Sequence, residues 1–145
     1  MRSVGLLAIA VSTTICAMTP AATISATLRD RWAKVEQIQM NERPTFDDLS
    51  KKLGKPRLWK RGSANSAGPV YAWYPFDSLS ENGTRSVTRP MLTARFDKEN
   101  RIEAFVRVKP YALDEPPVHS MQYDSAVYLH GHWQNLHGAG LLLAK

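Results

Sequence analysis

The chain has 145 residues, 43% hydrophobic and 22% charged, enough for one domain with its own core, so neither disulfides nor a structural metal is needed to hold it together. Nineteen Lys and Arg against thirteen Asp and Glu give a net charge of +6 and a pI near 9.7, which favours an acidic partner. One cysteine excludes an internal disulfide, and no G-x-S-x-G elbow, phosphate loop or dinucleotide fingerprint appears.

Residues 1–26 read as a secretory signal. Arg2 supplies the positive start, Val4 to Val11 is apolar, and Pro20 and small residues lead to Ile24-Ser25-Ala26. The expected cut follows Ala26, with Ala22 as a second site that fits the pattern. The apolar run is short of the roughly 20 residues that span a bilayer, which argues against an uncleaved anchor. Lipidation at Cys16 would want a small residue before the cysteine and an apolar one three before; Ile15 and Thr13 stand there instead. The expected protein is therefore periplasmic, without a lipid anchor. Losing Arg2 leaves +5, a charge that suits an anionic lipid head group, lipopolysaccharide or an acidic protein, or that only aids solubility. Export argues against nucleic acid.

From Thr27 to Met40 the residues Leu28, Trp32, Val35 and Ile38 or Gln39 recur on one helical stripe, and Thr27 with Asp30 has capping-box spacing. Asn41 to Pro44 breaks this helix. Thr45 then caps a second, with Asp47 and Asp48 at its positive end and Phe46, Leu49 and Leu53 as its apolar stripe. Gly54 and Pro56 stop it. Both carboxylates are explained by that position, so they are not read as a catalytic pair.

Strand signals follow. Leu58 to Arg61 is a short candidate, and Val70 to Tyr74 is strongly β-prone, with Pro75 ending it or making it an edge. Residues 62–68 and 77–84 read as loops, the second with an Asn82-Gly83 turn. The clearest pattern runs from Arg89 to Lys109. Leu92, Ala94 and Phe96 alternate with Thr93 and Arg95; Ile102, Ala104, Val106 and Val108 alternate with polar residues, Phe105 being the exception. Asp97 to Asn100 joins the arms, so the reading is an antiparallel hairpin with one buried face. Beyond Lys109 the pattern weakens. Asp114 to Pro117 reads as a linker, and periodicity does not decide between strand and helix for Tyr123 to Trp133. The expected domains are thus a signal (1–26), an α+β domain (27–110) and a loosely packed C-terminal extension (111–145).

Two sets of residues are candidates for function. Tyr71 and Trp73, with Arg95, Phe105 and Arg107, would form a contact surface of aromatics beside cations if they point outward. The opposite phase buries Trp73 in the core. His130, His132 and His137, with His119 nearby, are metal candidates, since residues two apart on a strand share a face. Gly131 and the lack of an adjacent acid weigh against them, and exposed histidines without a physiological metal are the plainer reading.

The order of these pieces resembles the small periplasmic BamE family, also called SmpA/OmlA, and its BLIP-like relatives. The likeness rests on Arg43-Pro44-Thr45-Phe46-Asp47-Asp48-Leu49 leading to Leu53-Gly54-Lys55-Pro56, on Val70 to Tyr74, and on Leu92 to Asp97 followed by Asn100-Arg101-Ile102, across about Trp32 to Val108. Arg43-Pro44 stands where the family carries a Gly-Met pair, and the tail from Tyr111 has no counterpart. The resemblance implies an α+β fold in which two N-terminal helices pack on one face of a three- to four-stranded antiparallel sheet. It also implies a non-enzymatic envelope protein that binds a partner protein through the open sheet face, with an inhibitor module as the alternative among the BLIP-like relatives; no cofactor is expected, and the terminal histidines leave a periplasmic metal-binding protein as the alternative outside the resemblance.

Overall fold

The computed structural model describes residues 20–62, 68–79, 85–110, 113 and 123–135, the side chains of residues 20–25 and 79 excepted. Its elements are helix α1 (Pro20–Glu36), a 3-10 turn (Met40–Glu42), helix α2 (Phe46–Leu53) and strands β1 (Arg57–Lys60), β2 (Val70–Leu79), β3 (Ser86–Phe96), β4 (Ile102–Val108), β5 (Tyr123–Leu129) and β6 (His132–Asn135). The strands form one antiparallel sheet in chain order, β1 to β6. The expectation of a three- to four-stranded sheet with two N-terminal helices packed on it is therefore corrected: the sheet has six strands. The short run at Arg57–Lys60 gains strand character only by pairing with β2, and the tail region that periodicity left undecided supplies β5 and β6.

Helix α2 follows from its punctuation. The Thr45 hydroxyl accepts from the Asp48 backbone N–H at 3.1 Å and the Asp48 carboxylate accepts from the Thr45 N–H at 3.0 Å, closing a capping box. The backbone and hydroxyl of Thr45 hold the Asp48 carboxyl below the usual carboxylate range. At the other end Gly54 adopts φ 90°, ψ −177°, a region open essentially to glycine alone. Helix α1 differs from its expected span. It begins at Pro20, so the Ala26–Thr27 bond lies inside it, and it ends at Glu36 rather than Met40. The backbone tightens at Ile38, whose N–H donates to Val35 O, then turns so that Ile38 and Met40 are both buried.

Cross-strand pairing fixes which residues share a face. One face carries Tyr71 and Trp73 of β2, Leu92 and Ala94 of β3, Phe105 and Arg107 of β4, and Ala126 of β5. Helix α2 lies on this face: the Phe46 ring is 4.8 Å from Tyr71 and 5.4 Å from Phe96, and the Trp73 indole N–H donates to Gly54 O at 2.9 Å. The other face carries Val70, Ala72, Thr93, Ala104, Val106, Val108 and Ser125, all buried. A free apolar side on the sheet is thus absent from these strands.

A β-bulge explains why simple alternation misassigns β4. Arg95 pairs with Ala104 but Phe96 pairs with Ile102, so Glu103 is an extra residue opposite the β3 ladder. Ile102 falls on the helix-bearing side with Phe96, while Ala104, Val106 and Val108 fall on the other. The bulged Glu103 meets Arg95 at 2.7 Å. The turn before it is ordered by Asp97, whose carboxylate accepts from the N–H groups of Glu99 and Arg101 at 2.9 and 3.0 Å, and by Asn100 at φ 63°, a left-handed position Asn tolerates.

Pro75 lies within β2, directly opposite Pro90. This is tolerated because β1 pairs only with Val70 to Ala72, so β2 at Pro75 has a single neighbour and behaves as an edge. Among the expected features, Cys16, the Asn82-Gly83 turn and the Asp114–Pro117 linker lie outside the described residues.

Candidate functional site

The two helices do not cover their face from edge to edge. Helix α2 seals the β2–β3 part, whereas β4 is met by the chain leaving α1, where Ile38 O accepts from Arg107. Beyond it, on the same face, lies a groove of about 310 Å³ lined by Ile38, Met40, Phe105, Arg107, Asp124 and Trp133. A second depression of about 330 Å³ continues past Arg107, between Trp32, Lys109 and Tyr123, and Glu36, Arg107 and Asp124 line both.

Two aromatic rings, buried Phe105 and half-buried Trp133, lie beneath a groove whose solvent-facing lining is mainly polar. Trp133 meets Phe105 edge to face at 5.3 Å and Tyr128 at 5.4 Å. Phe105 and Trp133 are on different strands, and the β4–β5–β6 register brings them onto one face. That register depends on a two-residue turn. His130 at φ 53° and Gly131 at φ 83° connect β5 to β6 as a type I′ hairpin, the form whose twist matches the strands. The Trp133 Nε1 is shut off from solvent and has no hydrogen-bond partner.

The groove wall is polar. Arg107 donates to Ile38 O through one Nη at 3.4 Å and to the Asp124 carboxylate through Nε at 3.0 Å and its other Nη. Its guanidinium carbon lies 5.4 Å from the Phe105 ring centre. Arg107 is largely shielded, but the Asp124 side chain is 52% exposed, so this ion pair is of the weakly stabilising kind and its carboxylate is open to exchange.

At the far end of the face Arg43 acts as a clasp. It sits at φ 49°, donates through Nε to Ile102 O at 3.2 Å, pairs with Asp97, and its guanidinium carbon lies 3.9 Å from the Tyr128 ring centre. Burial pushes the Asp97 carboxyl upward, but hydrogen bonds from the Arg101 backbone, Arg43 and the Glu99 backbone outweigh it and hold the group below the usual range. Main-chain bonds from Ile102 to Pro44 O and from Phe46 to Asn100 O complete the junction.

Of the residues singled out from sequence, Phe105 and Arg107 come together in the groove. Trp73 is 1% exposed and belongs to the core beneath α2, with Tyr71 half-buried beside it. Arg95 is on the opposite face, engaged by Glu103. His132 places Nδ1 3.2 Å from His130 O and Nε2 3.3 Å from the Gln134 amide. The consistent tautomer donates from Nδ1 to the carbonyl and accepts at Nε2, so both ring nitrogens are engaged. His119 and His137 lie outside the described residues, among which no group of three His, Cys, Asp or Glu could hold a metal ion. Sequence reasoning missed Trp133, Asp124 and Arg43. The signal for Trp133 was His130-Gly131, a two-residue hairpin turn with apolar residues on either side.

No family model matches the chain, and neither the curated proteins nor the solved structures contain a match to it.

Proposed function

We propose that this is an exported, non-enzymatic protein of the bacterial envelope that acts by holding a partner protein in the Phe105–Trp133 groove. One observation carries the reading. On the part of the sheet face that the helices leave uncovered, aromatic rings form a floor beside a shielded guanidinium whose carboxylate partner is half exposed. Aromatics and arginine are the residues that concentrate binding energy at protein interfaces. A partner carboxylate that displaced Asp124 would gain the paired N–H donors of Arg107 and lie against the rings. The signal-like N-terminus and the BamE-like order of motifs support the envelope setting. Cleavage after Ala26 would retain Leu28, Trp32 and Val35, the α1 residues that pack on the domain.

The test is site-specific photo-crosslinking in the native host. A photoreactive residue at Gln39, on the groove, should capture one discrete envelope protein; the same residue at Lys98, in the β3–β4 turn, should not. Arg107→Gln should remove the product and Asp124→Asn, which frees the guanidinium, should increase it. Equal capture from both positions, or loss of the product in Asp124→Asn, overturns the proposal. The mass of the mature protein from the periplasmic fraction tests export in parallel, the expected species beginning at Thr27.

A further inference from the structure

The positive charge of this chain is not spread over its surface. Six of its nineteen Lys and Arg lie between Lys51 and Arg61, a stretch with no Asp or Glu. The other thirteen are matched by thirteen acidic residues, so the whole +6 excess belongs to these eleven positions. The stretch runs from the last turn of α2 through Gly54 into β1, the outer strand of the sheet, and forms one rim of the molecule. Lys51, Lys52, Lys55, Arg57, Lys60 and Arg61 are all exposed. The ion pairs of Arg43, Arg95 and Arg107 with carboxylates lie on other parts of the sheet.

An apolar side chain stands among the cations. Leu58 is 51% exposed, the most exposed large hydrophobic residue described, and Trp59 beside it is half-buried. Arg57 pairs with Ala72 and Leu58 with Tyr71, so the two point to opposite sides of the strand, and a register shift before Lys60 twists the edge. Arg57 and Lys60 thus share one side of the strand, and Leu58 lies on the other, the side of α2 with its terminal Lys51 and Lys52.

We propose that this rim is a peripheral docking surface for an anionic lipid bilayer, with the Lys and Arg heads among the lipid phosphates and Leu58 entering the interfacial layer. Electrostatic attraction to anionic lipid acts over about a Debye length and adds with each cation that reaches the surface. An apolar residue between the cations adds burial that an aqueous polyanion does not offer, which is why a membrane is favoured over an acidic protein or a nucleic acid. The inference rests on the envelope setting proposed above but uses a surface separate from the groove, and its test does not require the groove's partner.

The experiment is flotation of the purified mature chain with vesicles of phosphatidylcholine alone and of phosphatidylcholine with phosphatidylglycerol. Binding is expected only with the anionic lipid and should disappear at 0.5 M salt, where the Debye length falls to about 4 Å. The triple variant Lys55→Glu, Arg57→Glu, Arg61→Glu should bind at least about a hundredfold more weakly. Arg29→Glu, Lys34→Glu, Lys98→Glu makes the same change in net charge elsewhere and should bind as the unaltered chain does. Leu58→Ser should weaken binding about fivefold. Arg107→Gln should leave flotation unchanged, which separates this surface from the groove. Circular dichroism of each variant establishes that it is folded, and the glutamine versions of the rim substitutions serve if the glutamates are not. Equal loss in the two triple variants, equal binding to both vesicles, or no flotation together with tight binding to an oligonucleotide, overturns the proposal.

Discussion

Two regions of one sheet face show how the same residue types serve different ends. Under α2, Trp73 is enclosed by Phe46, its N–H is satisfied by Gly54 O, and the cap of the helix fixes that carbonyl. Between β4 and β6, Trp133 is edge-on to two rings, lines a groove, and its N–H has no partner. The first arrangement is complete and stabilises the fold. The second is incomplete among the described residues, with a floor and a polar wall but no covering element, and that incompleteness is what a binding site requires. Aromatic content and neighbouring charge do not separate the two; the position of the helices does.

The largest effect should come from breaking the complete side. Trp73→Ala would leave a cavity and an unpaired carbonyl, with an expected loss of about 3–5 kcal/mol in a denaturant titration. Removing Phe105, buried on the groove side, would also destabilise, so the sharper contrast comes from Asp124→Asn. There the same titration should move by less than about 0.5 kcal/mol while partner capture changes. Gly54→Ala isolates the backbone contribution. A Cβ there meets nothing within 4 Å, yet the conformation at φ 90° is strained for any L-residue, so a loss of about 1–3 kcal/mol is expected from strain alone.

The clasp between the two regions should be pH-dependent. Because the folded Asp97 carboxyl titrates below its ordinary 3.8, its contribution is complete above that value and is lost as pH falls through the lower, folded value. Asp97→Asn should flatten the acid limb of a stability–pH profile there while leaving the neutral side level. If the acid limb is unchanged, other carboxylates set it. The smallest expected effect is at the start of α2, where Thr45→Ala removes one cap and should cost about 1 kcal/mol by thermal melting.

Legibility differed across the chain for reasons that particular residues show. Thr45, Asp48 and Gly54 announced α2 because a helix end is solved by its own few residues. Leu92, Ala94 and Phe96 were correctly grouped on one face because β3 alternates without interruption there. Ile102 was grouped with Ala104 and Val106 because nothing in the residue types marks Glu103 as a bulge; that depends on how β4 meets β3. The groove was half visible, since Phe105 and Arg107 break the apolar pattern of their strand, but Trp133 and Asp124 become their neighbours only through pairings made far along the chain.

The amino-acid sequence by itself determined the local events: the capping box of α2, the glycine stop at Gly54, the strand character of β2 and β3, and a charge excess confined to residues 51–61. These follow from interactions among residues close together in the chain, whose geometry is nearly independent of the rest. Only the tertiary structure decided that the sheet has six strands, that central residues on both of its faces are buried, and that an area the described helices leave uncovered lies beside Trp133. Each of those depends on edge pairing and on where the helices stop, and the free energy of such long-range contacts is shared among segments that no local pattern connects.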